Sequence, residues 1–544
     1  MERVLLVEPG YNNKYPPIGL MKIAMYHKMR GDYVEFYKGN APFILISRMD
    51  RIYITSLFTF YFDVTVETIL HYANYLDKNK IYLGGISATL MRDRFEKETG
   101  IKNILVGQLT NSSMIGYEDG VNIDILPLDY DILDDIEYQY GIEDNFFAYA
   151  TRGCPRRCEF CAVKTLEPKF FDTNNIINQV SSVREIYGDK RNIMLMDNNV
   201  IFSSNLQEIC NNLVKLGFVK NKATYIPQNP AVIFFAKTDR RMLSGNPTWM
   251  LEDKFITFLK AFIKRIKKQE ILDEINLIIN EALESGTYLL ALNKYREPII
   301  RIVEKYRSKK PLQRYVDFNQ GLDARLLTDE KMAVLSVLPL RPFRLAYDDI
   351  DSTEEYLRAF NIAYRHGVRH FSNYMLYNFK DTPEDFWQRA YNNVNLHNNY
   401  PEVSTFSFPM KYAPIDMTDR SYIGTHWNKK YLSAMNVILN VTKGIIAKER
   451  DFFVRAYGKT SIEFREILSM PNEFIKFRNL FDNLGFTEAW RQQFRKLDCT
   501  DVELLLMFVT GESTIEISDK KLLSYYKITK RQIETKKIDI SDYL

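Results

Sequence analysis

Short apolar runs alternate with stretches of helical periodicity along the first part of the chain. VLLVEP, from Val4, is an apolar run of strand length, PPIGLMKIAMYHKMR, from Pro16, spaces its apolar residues helically, and YVEFYKG, from Tyr33, reads as a second strand. RIYITSLF from Arg51, the helical VTVETILHYANYLD from Val64, KIYLGG from Lys80 and NILVG from Asn103 continue the alternation. This order predicts an α/β fold whose N-terminal part, residues 1–125, is a doubly wound parallel sheet. The acidic, irregular DILPLDYDILDDIEYQYGIED then predicts a linker over 126–145.

From FFAYATRG onward strand-like segments recur: NIMLMDN from Asn192, RYVDFNQ from Arg314, FRLAYDD from Phe343, HFSNYMLYNF from His370 and VSTFSFPMKY from Val403. With helical segments between them they predict a partial or full β/α barrel over 146–414. The spacing breaks at about 220–310, where LEDKFITFLKAFIKRIKKQEILDEINLIINEAL predicts a helical insertion. Residues 415–544 read as a mainly helical C-terminal domain.

Composition narrows the function classes. A chain of 544 residues exceeds one ordinary core, and 46% hydrophobic with 14% aromatic residues argues against extended disorder. Lys plus Arg (73) against Asp plus Glu (69) leaves a formal +4, which argues against nucleic-acid binding by bulk charge. Lys-rich helices are the one hint of a nucleic-acid-modifying enzyme, and such runs are usually solvated faces. No apolar run reaches the length of a signal-peptide core or a membrane span. Of five cysteines, three lie within eight positions and two, Cys210 and Cys499, stand alone, so a disulfide framework is not expected and a reducing, cytoplasmic setting is.

The three clustered cysteines carry the chemistry. C-P-R-R-C-E-F-C puts Cys154, Cys158 and Cys161 on one short loop. Three thiolates can hold three corners of a 4Fe-4S cube, and no nearby fourth cysteine closes the last corner. Structural zinc prefers four ligands, commonly as two pairs, and no nearby His or Cys completes such a set. A non-catalytic iron-sulfur or zinc protein for binding or electron transfer is the competing class; it predicts metal without affinity for S-adenosylmethionine (SAM).

The Cys-x3-Cys-x-aromatic-Cys spacing resembles the radical SAM superfamily. TRGCPRRCEFC, preceded by LPLDYDILDD and an N-terminal α/β module, looks like its subfamily with a cobalamin-binding-type domain ahead of the barrel. The resemblance spans roughly residues 1–415, with MLMDNNVIF, VDFNQGLDARLL, LAYDD and MLYNFKDTPEDF in the order of successive strand ends.

This resemblance implies a 4Fe-4S cluster on Cys154, Cys158 and Cys161, SAM on the open iron, and an external reducing partner such as flavodoxin or ferredoxin. It implies Phe160 beside the adenine, with loop packing as the plainer role. Asp197, Asn198 and Asn199 are implied near the SAM amino group, where an Asx-rich turn is the alternative. Gln320, Asp323 and Arg325 are implied at the ribose or methionine carboxylate, and a structural Asp323–Arg325 pair competes. The substrate is a small molecule or peptide of unspecified identity.

For the N-terminal domain two readings stay open. Glu8 to Asn13 and the pair Gly84 and Gly85 suit a ligand crevice, yet the Asp-x-His-x-x-Gly motif that supplies a lower axial histidine is absent. Either cobalamin binds without histidine ligation, making methyl transfer the preferred reaction and the enzyme a transferase, or the domain is a scaffold or substrate platform. Without cobalamin, rearrangement, cyclisation and sulfur insertion remain open.

Overall fold

The computed structural model describes residues 1–515, 517–538 and 540–543. It is an α/β protein with parallel sheets, half of it helical. Among the described residues no helix is long and apolar enough to cross a membrane. The chain divides into two compact units. The first holds Met1–Gln320, Val334–Leu340 and Ile415–Asp419; the second holds Gly321–Ala333, Arg341–Pro414 and the chain from Arg420 onward.

The first unit opens with five strands, β1 (Arg3–Glu8), β2 (Tyr33–Lys38), β3 (Arg51–Ser56), β4 (Ile81–Gly85) and β5 (Asn103–Ile104). They pair in parallel in the order 2-1-3-4-5, so the order reverses between β1 and β3. Residues 4–8 of β1 are all buried, as a strand covered on both faces requires. Alternate side chains explain the covering. Leu5, Val7, Ile52, Ile54, Ile81 and Leu83 pack with Phe62, Ile69 and Tyr72 of helix Phe62–Ala73 and Phe95 of helix Arg92–Thr99. On the opposite face Tyr53 meets His27 of helix Ile18–Met29 at 3.1 Å.

A second parallel sheet in this unit joins β6 (Asn145–Ala148), β9 (Asn192–Leu195) and β12 (Val316–Phe318), with β9 central. Between its strands lie two short antiparallel pairs, β7 (Thr151–Arg152) with β8 (Phe171–Asp172) and β10 (Thr224–Tyr225) with β11 (Leu312–Gln313). From β10 to β11 the chain is helical, over 230–243, 249–262, 269–284, 288–294 and 296–306. These helices bury their own core, in which Phe234 stacks on Phe255 at 4.0 Å beside Leu259, Ile275 and Ile302.

The acidic stretch before β6 docks on the first of these helices. Arg240 grips Asp131 through two nitrogens at 2.7 and 2.8 Å, Arg241 reaches Asp135 at 2.6 Å and Lys237 reaches Asp134 at 2.7 Å. Asp131 and Asp135 are almost fully buried, so these cations offset a desolvation that would otherwise be prohibitive.

The second unit holds a parallel sheet of β13 (Phe343–Arg344), β14 (His370–Tyr377) and β15 (Ser404–Lys411), with β14 central, flanked by helices Thr353–Arg365 and Pro383–Asn399. Thr382 caps the latter in a capping box with Asp385, and Pro383 occupies its first turn. The remainder is helical, from Lys429–Val441 to Lys530–Glu534, around Phe464, Phe474, Phe481, Phe486 and Trp490.

Candidate functional site

Cys154, Cys158 and Cys161 lie on the loop closed at its base by the β7–β8 pair, and all three are half-buried. A tight turn, Cys161 N–H to the Cys158 carbonyl at 3.1 Å, brings the last two together. The three thiols are not among the groups of three that converge within 4.8 Å among the described residues. One tetrahedral zinc, with sulfur at about 2.3 Å, would draw its ligand sulfurs to about 3.8 Å from one another. In a cubane each thiolate takes a different iron, so wider spacing suits it. The donor set of three soft thiolates fits such a cluster.

The loop is anchored by buried carboxylates. Asp197, just past β9 and 3% exposed, accepts from Ala150 N–H at 3.1 Å, the Thr151 hydroxyl at 2.6 Å and Thr151 N–H. Burial nonetheless pushes its carboxyl up to about 6. Its hydrogen-bonding capacity is spent on the strand leading into Cys154, which leaves little for an ammonium group.

Glu167 does the same from the far side, and the sequence reading missed it. One oxygen takes Arg152 at 2.8 Å; the other takes Gly153 N–H and the Asn198 amide, each at 2.7 Å. Asn198 is thereby committed to the loop. Arg152 also binds Asp124 at 2.5 and 2.7 Å, Asp124 holds Lys22 at 2.8 Å, and the guanidinium lies 3.4 Å above the Tyr149 ring. Gly153 is required where it stands: its φ is +73°, and a Cβ there would meet the Lys169 carbonyl oxygen at 2.1 Å. No local pattern announces Glu167, because its partners are 14 to 31 residues away.

Asn199 behaves differently from its neighbours. It is 3% exposed, its Nδ2 donates to Cys154 Sγ at 3.5 Å, and its Oδ1 is buried with no hydrogen-bond partner. Phe160 is half-buried in the cysteine loop and Gln320 is exposed.

In the second unit Asp323 is buried and caps the short turn Ala324–Leu326, while exposed Arg325 donates to it from Nε at 2.7 Å and from its backbone N–H at 3.2 Å. The two form the structural pair that competed with a ligand role. Asp348 ends the strand-like stretch after β13, and burial pushes its carboxyl up to about 6. Asn378, also at a strand end, is structural: at φ +67° its amide donates to the Tyr412 and Tyr422 carbonyls at 3.0 Å and accepts from Gly424 N–H at 2.8 Å. Cys210 is buried in helix Leu206–Lys215, where desolvation pushes its thiol up to about 12, and Cys499 is exposed.

The switch-point crevice of the first sheet is occupied by its own side chains. Glu8, 1% exposed, accepts from Lys38 at 2.6 Å, from the Tyr140 hydroxyl and from Asn13 at 3.4 Å, and Tyr11 stacks on Tyr61 at 4.5 Å. Gly85 is needed for the chain's own packing, since a Cβ there would meet the Ser56 carbonyl at 2.2 Å. These residues satisfy one another and, as they stand, do not fit cobalamin.

The convergence of Glu2, His27 and Asp32 at the other end of that sheet is an internal charge network. His27 bonds Asp32 at 2.9 Å, burial holds it below its usual pKa, and Arg30 and Arg51 face the two carboxylates at 3.3 and 3.7 Å. No protein-family model matches the chain, and no curated protein matches it in sequence.

Proposed function

We propose that this chain is a radical SAM enzyme that holds a 4Fe-4S cluster on Cys154, Cys158 and Cys161. The observation that carries the reading is a loop of three half-buried thiols whose approach strand and first turn are pinned by two carboxylates, Asp197 and Glu167. Cys154, Cys158 and Cys161 would hold the cluster, which when bound and reduced by one electron would supply reductive cleavage of SAM to methionine and a 5'-deoxyadenosyl radical able to take a hydrogen atom from substrate.

The protein's own part is positional. Asp197 fixes the end of β6 against the end of β9, Glu167 and Arg152 fix the turn into Cys154, and Asn199 sits against its sulfur. Phe160, half-buried in the same loop, is the residue proposed to pack on the adenine, and the exposed Gln320 is proposed to reach the ligand. β/α repeats are supported within each unit by itself: β6, β9 and β12 form a parallel sheet in chain order in the first, and β13, β14 and β15 do so in the second. The first sheet serves as a scaffold: Tyr15, from the loop after β1, donates to Asn319 at the end of β12 at 2.9 Å.

The test is anaerobic reconstitution of the full chain with iron and sulfide, followed by dithionite and SAM. Formation of 5'-deoxyadenosine is expected. A chain that carries four irons and yet never cleaves SAM refutes the proposal and favours an electron-transfer protein.

A further inference from the structure

Asn199 pays for its position. Its side-chain Oδ1 is buried without a hydrogen-bond partner, which costs stability. The residue is held rigidly all the same: Asn199 begins the tight turn Val200–Phe202, its backbone carbonyl accepts from Phe202 N–H at 3.1 Å, and the following Val200 and Ile201 are 2% and 0% exposed. That rigidity aims Nδ2 at Cys154 Sγ.

The donor direction has chemical meaning. A ligating thiolate offers no proton and only accepts, so an N–H aimed at it is matched to the metal-bound form of the cysteine. We infer that Asn199 raises the reduction potential of the cluster by donating a hydrogen bond to the Cys154 sulfur. The inference rests on the cluster proposed above and deepens it.

Reduction adds one electron from an external low-potential donor, takes the cluster from the 2+ to the 1+ state, and breaks no bond. Part of the added charge falls on the ligating sulfurs, so a donor to one of them stabilises the reduced state. In a buried setting this electrostatic gain is poorly screened. Removing the N–H should therefore make the cluster harder to reduce, and Asn199 is a positioning and tuning residue rather than a catalytic one.

The experiment is an EPR-monitored redox titration of the reconstituted full chain without SAM, comparing wild type with Asn199→Ala and Asn199→Asp. Both variants should hold the wild-type complement of iron and have lower midpoints. For Asn199→Ala the reduced-to-oxidised ratio at fixed solution potential should fall about tenfold, which is about 59 mV for one electron. Asn199→Asp, which has no N–H and adds a negative charge, should fall further. An unchanged or higher midpoint in Asn199→Ala overturns the inference. So does loss of iron from both variants, which would make Asn199 a structural part of the loop only. A wild-type chain that takes up no four-iron cluster removes the underlying reading instead.

Discussion

Replacing Lys430 by methionine should stabilise the second unit at neutral pH. Lys430 is 4% exposed in helix Lys429–Val441, and its ammonium donates only to the Leu468 carbonyl and Asn472 Oδ1, both at 3.1 Å. Desolvation, with no charge to offset it, lowers its pKa from 10.5 to about 7. By linkage that fall corresponds to a cost of about 4 kcal/mol at pH 7. Methionine keeps the unbranched stem but leaves two acceptors without a donor, at about 1–1.5 kcal/mol each. A net gain of about 1–2 kcal/mol remains.

The sign with pH follows from proton counting. Between pH 7 and 10.5 the unfolded lysine holds a proton that the folded one has released, so wild-type stability climbs across that window through this group. Below pH 7 the cost is fully present. The advantage of Lys430→Met should shrink from pH 7 upward and reverse between about pH 8 and 9, where the remaining charge cost falls below the about 2–3 kcal/mol of the two lost hydrogen bonds. Urea unfolding of the full chain, followed by tryptophan fluorescence, reads it: Trp387, Trp427 and Trp490, three of the four tryptophans, lie in the unit that holds Lys430. A variant less stable than wild type at pH 7, or a difference independent of pH, refutes the reasoning.

Three further outcomes are expected. Gly153→Ala should lower iron uptake on reconstitution severalfold, because the new Cβ collides with the Lys169 carbonyl; wild-type iron content would show that the loop yields. Arg241→Ala should cost about 3 kcal/mol by stranding Asp135, whose carboxyl burial has already pushed up to about 7, and adding Asp135→Asn should recover part of the loss in a double-mutant cycle. Cys158→Ala should abolish cluster uptake, while Cys210→Ser, remote in sequence and buried, should leave the iron count unchanged; equal iron in both variants would discard the three-thiol assignment.

Periodicity and residue spacing carried the parallel sheet and the thiol loop. The apolar runs at Val4, Arg51 and Lys80 are the strands β1, β3 and β4; β1 is buried from Val4 to Glu8, as a strand covered on both faces is, while β4 alternates buried Ile81 and Leu83 with half-buried Tyr82 and Gly84. The FRLAYDD and NILVG runs were longer than the strands they became, Phe343–Arg344 and Asn103–Ile104, since pairing partners and not propensity end a strand. What a polar side chain binds was beyond local reading. Asn198 and Asn199 are adjacent and identical, yet one is spent on Glu167 and the other on Cys154. Arg325, a candidate for a carboxylate ligand, pairs with Asp323 two residues away. The acidic linker read as irregular chain with no partner for its charges, and helix Pro230–Leu243 brings three cations to it from about 105 residues away. Burial follows from the pattern of one segment with itself, whereas the partner of a buried charge is chosen by whichever distant segment packs there, because desolvation punishes every other arrangement.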